Sequence, residues 1–200
     1  MTTKEKIIHE ALSLFSVRGF SSVSVRDIAY AAGIKESSLY NHFVNKQDIF
    51  NQTIAFCQER VTSQYELLYL QNSISSRVEI HSQLVHDILY SISQSIFRIN
   101  LSDDYNRMFR QMLTIEQYNS GELRDLYKDI FIDQAIQYQI ILFTYLMENG
   151  VIIKGQPKAL ALEFYSPIFL LLSRYDSLDD EASRLLKIHI DYFILKNTSK

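Results

Sequence analysis

The chain has 200 residues, 47% of them hydrophobic and 22% charged, with a formal net charge of −3. That balance excludes a disordered or uniformly basic polypeptide and suits one sizeable core or two smaller ones. A single cysteine, Cys57, excludes an internal disulfide framework and a cysteine-based zinc site.

Five glycines and two prolines leave few turn residues, which predicts a handful of long helices joined by short loops. The opening MTTKEKIIHE alternates charges and has no apolar signal-peptide region. The most apolar runs, 140–147 and 168–172, fall well short of the roughly 20 residues a membrane span needs. The expectation is a cytoplasmic protein with no membrane partner. Charge is uneven: residues 1–50 hold six Lys/Arg against five Asp/Glu, while residues 51–200 hold fourteen against eighteen.

In chain order, residues 4–17 place Ile7, Ile8, Ala11, Leu14 and Phe15 at helical spacing, and Gly19 ends that helix. Ser24, with Asp27 three residues on, caps a short helix carrying Val25, Ile28, Ala29 and Ala32. Gly33 breaks it, and a second short helix follows through Leu39 and Phe43. Asn45, with Asp48 three residues later, caps a longer helix bearing Ile49, Phe50, Ile54, Val61 and Leu68. Further helices are expected over 77–98, 103–118, 120–148, from Pro157 to about 174, and from Asp179 to about 196. No alternating strand pattern, internal repeat or low-complexity tract appears. The expected fold is all-α with about nine helices, dividing near residue 46: a three-helix segment over 1–46 and a helical bundle over 47–200.

The two short helices carry the chemistry. Val25, Ile28, Ala29, Ala32, Ile34 and Leu39 are apolar or small, and Gly33 sits between the helices, four residues after Ala29. A helix-turn-helix needs this pattern, because close crossing demands a small residue and the tight turn favours glycine. The outer face of the second helix then draws on Lys35, Glu36, Ser37, Ser38, Tyr40, Asn41 and His42. Ser, Tyr and Lys donate to phosphate oxygens, and Asn matches an adenine edge in the major groove. Ser24 at the start of the first short helix and Lys46 at the start of the fourth flank this face as phosphate candidates. Glu36 has two readings, a helix-start carboxylate facing solvent or a cytosine acceptor. Arg26 either flanks DNA or pairs with an acid on a neighbouring helix. Tyr30 either packs in the core or faces outward and contacts DNA.

The elements Phe15, Gly19-Phe20, Ser24 to Ala29, Ala32-Gly33-Ile34, Leu39-Tyr40-Asn41-His42-Phe43, Lys46 and Ile49-Phe50 stand in the order and spacing of the N-terminal domain of tetracycline-repressor (TetR) family regulators, which this segment resembles. The resemblance covers about 45 residues. It implies a homodimer on a palindromic double-stranded operator, and a small-molecule effector bound in the C-terminal bundle. It also implies phosphate contacts from Ser24, Tyr40 and Lys46, backbone contact from His42, and base contacts from Lys35 to Ser38 and Asn41. Lys35 stands where the family commonly has a small residue, and Ser37 where it commonly has glycine.

In the bundle, the residues expected to line an apolar effector pocket are Leu89, Ile92, Ile96, Met108, Met112, Phe131 and Tyr138, on helices that surround such a pocket in this family. Most other aromatic side chains there are expected to be core. His81 and His86 are five apart, the wrong spacing for a metal pair on one helix face, and read as surface or satisfied polar groups. Cys57 reads as a buried small hydrophobe. No cofactor is expected, and the absence of a carboxylate pair, triad or phosphate loop argues against an enzyme. The last two helices are apolar on more than one face, which marks a partner surface; in the resembled family they pair with their copies.

Overall fold

The computed structural model describes residues 2–71 and 82–198. Among these residues there are nine helices: α1 Thr3–Arg18, α2 Val25–Ala31, α3 Glu36–Leu39, α4 Lys46–Gln71, α5 Ser82–Phe97, α6 Asp104–Glu116, α7 Gly121–Glu148, α8 Pro157–Arg174 and α9 Asp180–Asn197. A π-helical turn, Arg98–Ser102, extends α5, and another, Asp129–Asp133, interrupts α7. The all-α expectation holds, and one isolated antiparallel bridge joins Ile152 and Thr198. The expected helix start near residue 77, with Val78 and His81, lies outside the described residues.

Two compact units make up the chain. The first contains residues 1–63 and 103–128, so the three short helices share a core with the start of α4 and with α6, a larger body than 1–46. Along α1 the buried residues are Ile7, Ile8, Ala11, Leu12 and Phe15. Leu12, not the half-exposed Leu14, is the inward leucine, because it follows Ile8 by four residues. Phe15, Phe20 and Phe50 form an aromatic cluster, with Phe15 edge-on to Phe50 at 5.2 Å and Phe20 at 4.6 Å from Phe50. Cys57 is buried, and desolvation pushes its thiol up to about 12, so it stays protonated.

The second unit contains residues 64–102 and 129–200. Its centre is built on Phe143, Phe164 and Phe193, with ring centroids 5.0–5.7 Å apart. Tyr165 donates its hydroxyl to the Phe131 carbonyl at 2.6 Å, an acceptor inside the π-helical turn of α7. His86 on α5 meets Asp191 on α9 at 2.8 Å, so its imidazole is a satisfied polar group. Helix α7 is long and apolar enough to cross a membrane by length and composition, which the shorter apolar runs alone did not suggest. From the π turn onward its buried residues Ile130, Phe131, Ala135, Gln139, Leu142, Phe143 and Leu146 recur at core-facing spacing.

Candidate nucleic-acid interface

Helix α2 begins at a reciprocal cap. Ser24 Oγ accepts the Asp27 N–H at 3.1 Å, and Asp27 Oδ2 accepts both the Ser24 N–H and the Ser24 hydroxyl at 2.8 Å. Those hydrogen bonds, backbone first, hold the Asp27 carboxyl below the usual carboxylate range. Both donors of Ser24 are therefore committed to the cap, which differs from the expectation that they meet a phosphate.

The helix ends on Gly33, at φ +67°. Ile34 N–H reaches back to the Ala29 carbonyl at 3.0 Å and Gly33 N–H to the Tyr30 carbonyl at 3.0 Å, the paired bonds of a Schellman stop. A methyl group at Gly33 would make only ordinary contact, 3.6 Å from Lys6 Nζ, so the requirement is the backbone, not space. Gly33→Ala is expected to cost about 1–2 kcal/mol and to lower the thermal midpoint by about 3–6 °C; an unchanged melting curve would contradict this.

Ala29, Ala32, Leu39 and Phe43 are buried and fix the crossing of α2 and α3. Regular α-helix stops at Leu39, and hydrogen-bonded turns continue to Phe43, whose N–H bonds the Leu39 carbonyl at 3.1 Å. The reading surface is thus one helical turn followed by a looser coil. Lys35, Glu36, Ser37, Tyr40, Asn41 and His42 are exposed on it, and Ser38 is half-buried. Tyr30 is 87% exposed, which excludes core packing.

Arg26 Nε lies 3.8 Å from Glu36 Oε2 across the two helices, with the Arg26 side chain 87% exposed, so the pair leaves it accessible. Lys46 is turned inward. Its Nζ donates to the carbonyls of Phe20 and Val23, each at 2.9 Å, and sits 4.2 Å above the Phe20 ring. The same loop is held from α6, where the buried Glu116 carboxylate accepts the Phe20 N–H at 2.7 Å. Sequence reasoning missed Glu116, because nothing local marks a carboxylate 96 residues from its partner. It also missed Lys4 and Lys6 of α1. Lys4 Nζ lies 5.7 Å from the Phe43 ring centroid and Lys6 lies beside the Gly33 turn, so both bring positive charge to this face.

The residues expected to line an effector pocket divide between the units. Met108 and Met112 are buried in the first; Leu89, Ile92, Ile96 and Phe131 are buried in the second, with Tyr138 half-buried.

A capped helix, a Schellman turn and a second short helix with an outward polar face define a helix-turn-helix DNA-binding protein. The family model for bacterial regulatory proteins of the tetR family matches residues 7–53. The biofilm operon negative transcriptional regulator IcaR of Staphylococcus aureus strain Newman is 26% identical over 140 residues, 70% of this chain and 68% of that one. IcaR of Staphylococcus epidermidis is 39% identical over 54 residues, 27% of this chain and 29% of that one. Among solved structures, a regulator from Saccharomonospora viridis in complex with choline superposes with a TM-score of 0.69 at 18% identity, covering 98% of both chains. The SmeT–triclosan complex gives 0.70 at 20% identity, covering 100% of this chain and 93% of SmeT. Residues 7–53 thus carry the DNA-binding domain of tetR-type bacterial regulators, and the whole chain shares the fold of these solved structures.

Proposed function

We propose that this protein is a repressor. It binds a two-fold symmetric operator as a homodimer, and a small apolar effector held in its second unit releases it. The observation that carries the DNA reading is the division of labour in residues 33–43. Leu39 and Phe43 are buried, whereas Lys35, Ser37, Tyr40, Asn41 and His42 are exposed side by side. Repression follows the relative named as a negative regulator, and effector control follows the neighbours crystallised with choline and triclosan.

In this reading Tyr40 and His42 hold the backbone, and Asn41 with the first turn of α3 reads bases. Lys35 adds charge at the groove. Glu36 holds Arg26 instead of meeting cytosine. The dimer face is a stripe of exposed apolar side chains, Leu162 and Leu170 on α8 and Ile188, Tyr192 and Leu195 on α9. Effector binding favours a conformation whose recognition helices no longer match the half-site spacing, and by reciprocity DNA weakens effector binding equally. The chain passes between the units at residues 63–64, 102–103 and 128–129, so α4, the start of α6 and α7 carry the linkage.

The test is a mobility-shift titration on the promoter of the protein's own gene against scrambled DNA. Tyr40→Phe is expected to weaken both equally. Asn41→Ala is expected to weaken the promoter complex by about tenfold or more and to narrow its advantage over scrambled DNA. Unchanged titrations for both variants would sink the interface assignment.

A further inference from the structure

The buried polar side chains of the second unit, among its described residues, are all uncharged: Ser93, Asn100, Gln139 and Asn197. Ser93 and Asn197 are satisfied within their own helices, donating to the Leu89 and Phe193 carbonyls at 2.8 and 2.9 Å. Asn100 and Gln139 are not. Asn100, fully buried in the π-helical turn after α5, donates its Nδ2 to the Ile96 carbonyl and to the Tyr65 hydroxyl, both at 2.7 Å. A carbonyl only accepts, so Ile96 fixes which end of the amide is nitrogen. Oδ1 is then left buried without a hydrogen-bond partner among the described residues, and Gln139 Oε1 on α7 is in the same condition. A buried acceptor without a donor is costly, and π turns concentrate at functional sites.

The Tyr65 hydroxyl leads from Asn100 into a stack of near-parallel rings. Tyr65 and Tyr69 lie 5.9 Å apart at 24°, and Tyr69 and Tyr138 lie 3.9 Å apart at 15°. Tyr138 is next to Gln139 in the chain and, like Tyr69, is only half-buried, so the stack continues toward an accessible end. Burial pushes both hydroxyls above the usual phenol range, so these rings stay neutral.

Resting on the effector reading above, we propose that Asn100 and the Tyr65–Tyr69–Tyr138 stack form the polar end of the effector site, and that the effector is an uncharged planar aromatic carrying an O–H donor, a phenol. Flat π faces select a planar guest. The open group of Asn100 is an acceptor oxygen, so the guest supplies the donor. A cation would be desolvated without a buried carboxylate among these side chains, and an anion would face carbonyl oxygens without a buried cation.

The experiment uses the full-length protein, by calorimetry and by release from promoter DNA, with 4-phenylphenol, its methyl ether, biphenyl-4-carboxylate and benzyltrimethylammonium as probes. The phenol is expected to bind and to release DNA, and the ether, which lacks the donor, to bind about tenfold more weakly. Asn100→Leu is expected to bring the phenol-to-ether ratio to about one. Should that variant fail to fold, Tyr138→Leu, at a half-buried ring, is expected to weaken both ligands alike. Equal binding of phenol and ether overturns the proposal, as does preference for either charged probe. Binding of no probe by a protein that still shifts promoter DNA also overturns it, leaving Asn100 Oδ1 to a buried water. Phenol binding by a protein that shifts no promoter DNA would instead uphold the ligand site and overturn the repressor reading.

Discussion

Lys46→Met is expected to lower stability by about 2 kcal/mol and to weaken operator binding by about tenfold, without changing the salt dependence of binding. The ammonium bonds two loop carbonyls and caps the Phe20 ring, in the linker that sets where α2 begins. Charged hydrogen bonds of this kind are worth more than neutral ones, but Lys46 is half-exposed, so solvent screening keeps the loss near the lower end of their range. Methionine keeps most of the apolar stem and removes only the charge and its donors. The salt slope separates this role from the phosphate role. A lysine that neutralises a phosphate carries about one unit of slope, and its loss leaves the melting temperature largely unaltered. Thermal melts together with mobility shifts at several salt concentrations decide between the two. A reduced slope with an unchanged melt would return Lys46 to the DNA backbone.

What the sequence displayed and what it hid follow from the range of the forces involved. The cap at Ser24 and Asp27 and the stop at Gly33 are contacts between near neighbours, so spacing alone placed them. The outward set from Lys35 to His42 was legible for the same reason, since burial of Leu39 and Phe43 dictates the opposite face. Lys46 was legible as a cation at the start of the fourth helix, but not as an inward one, because its acceptors lie 23 and 26 residues away on a loop without periodic signal. The Arg26–Glu36 pair depends on how two helices cross, which the residues restrict only to alternatives. The π-helical turns at Arg98–Ser102 and Asp129–Asp133 were illegible, since one extra residue in a turn leaves the apolar pattern nearly intact. The grouping of α6 with the first unit was hidden as well, because it rests on side chains such as Glu116 meeting a loop 96 residues earlier.

The double substitution Leu170→Asp, Tyr192→Asp is expected to yield a folded monomer whose operator affinity has fallen by about a hundredfold or more. Both side chains are well exposed, Leu170 at 65% and Tyr192 at 68%, so neither supports the core built on Phe143, Phe164 and Phe193. The helical circular-dichroism signal is therefore expected to persist. On the proposed two-fold interface each aspartate would be desolvated against apolar neighbours and would meet its own copy, so the pairing fails on both counts. The loss of DNA affinity follows from geometry. A three-helix reading unit whose regular recognition helix is the single turn Glu36–Leu39 makes few contacts alone, and a rigid pair gains the second half-site at high effective concentration. Light scattering on the eluted protein reads the mass, and the same promoter titration reads the affinity. A dimer mass retained by the double variant would move the interface away from the α8–α9 stripe. A monomer that still binds the promoter at full strength would show that one recognition unit suffices, and would remove the spacing argument on which effector release depends.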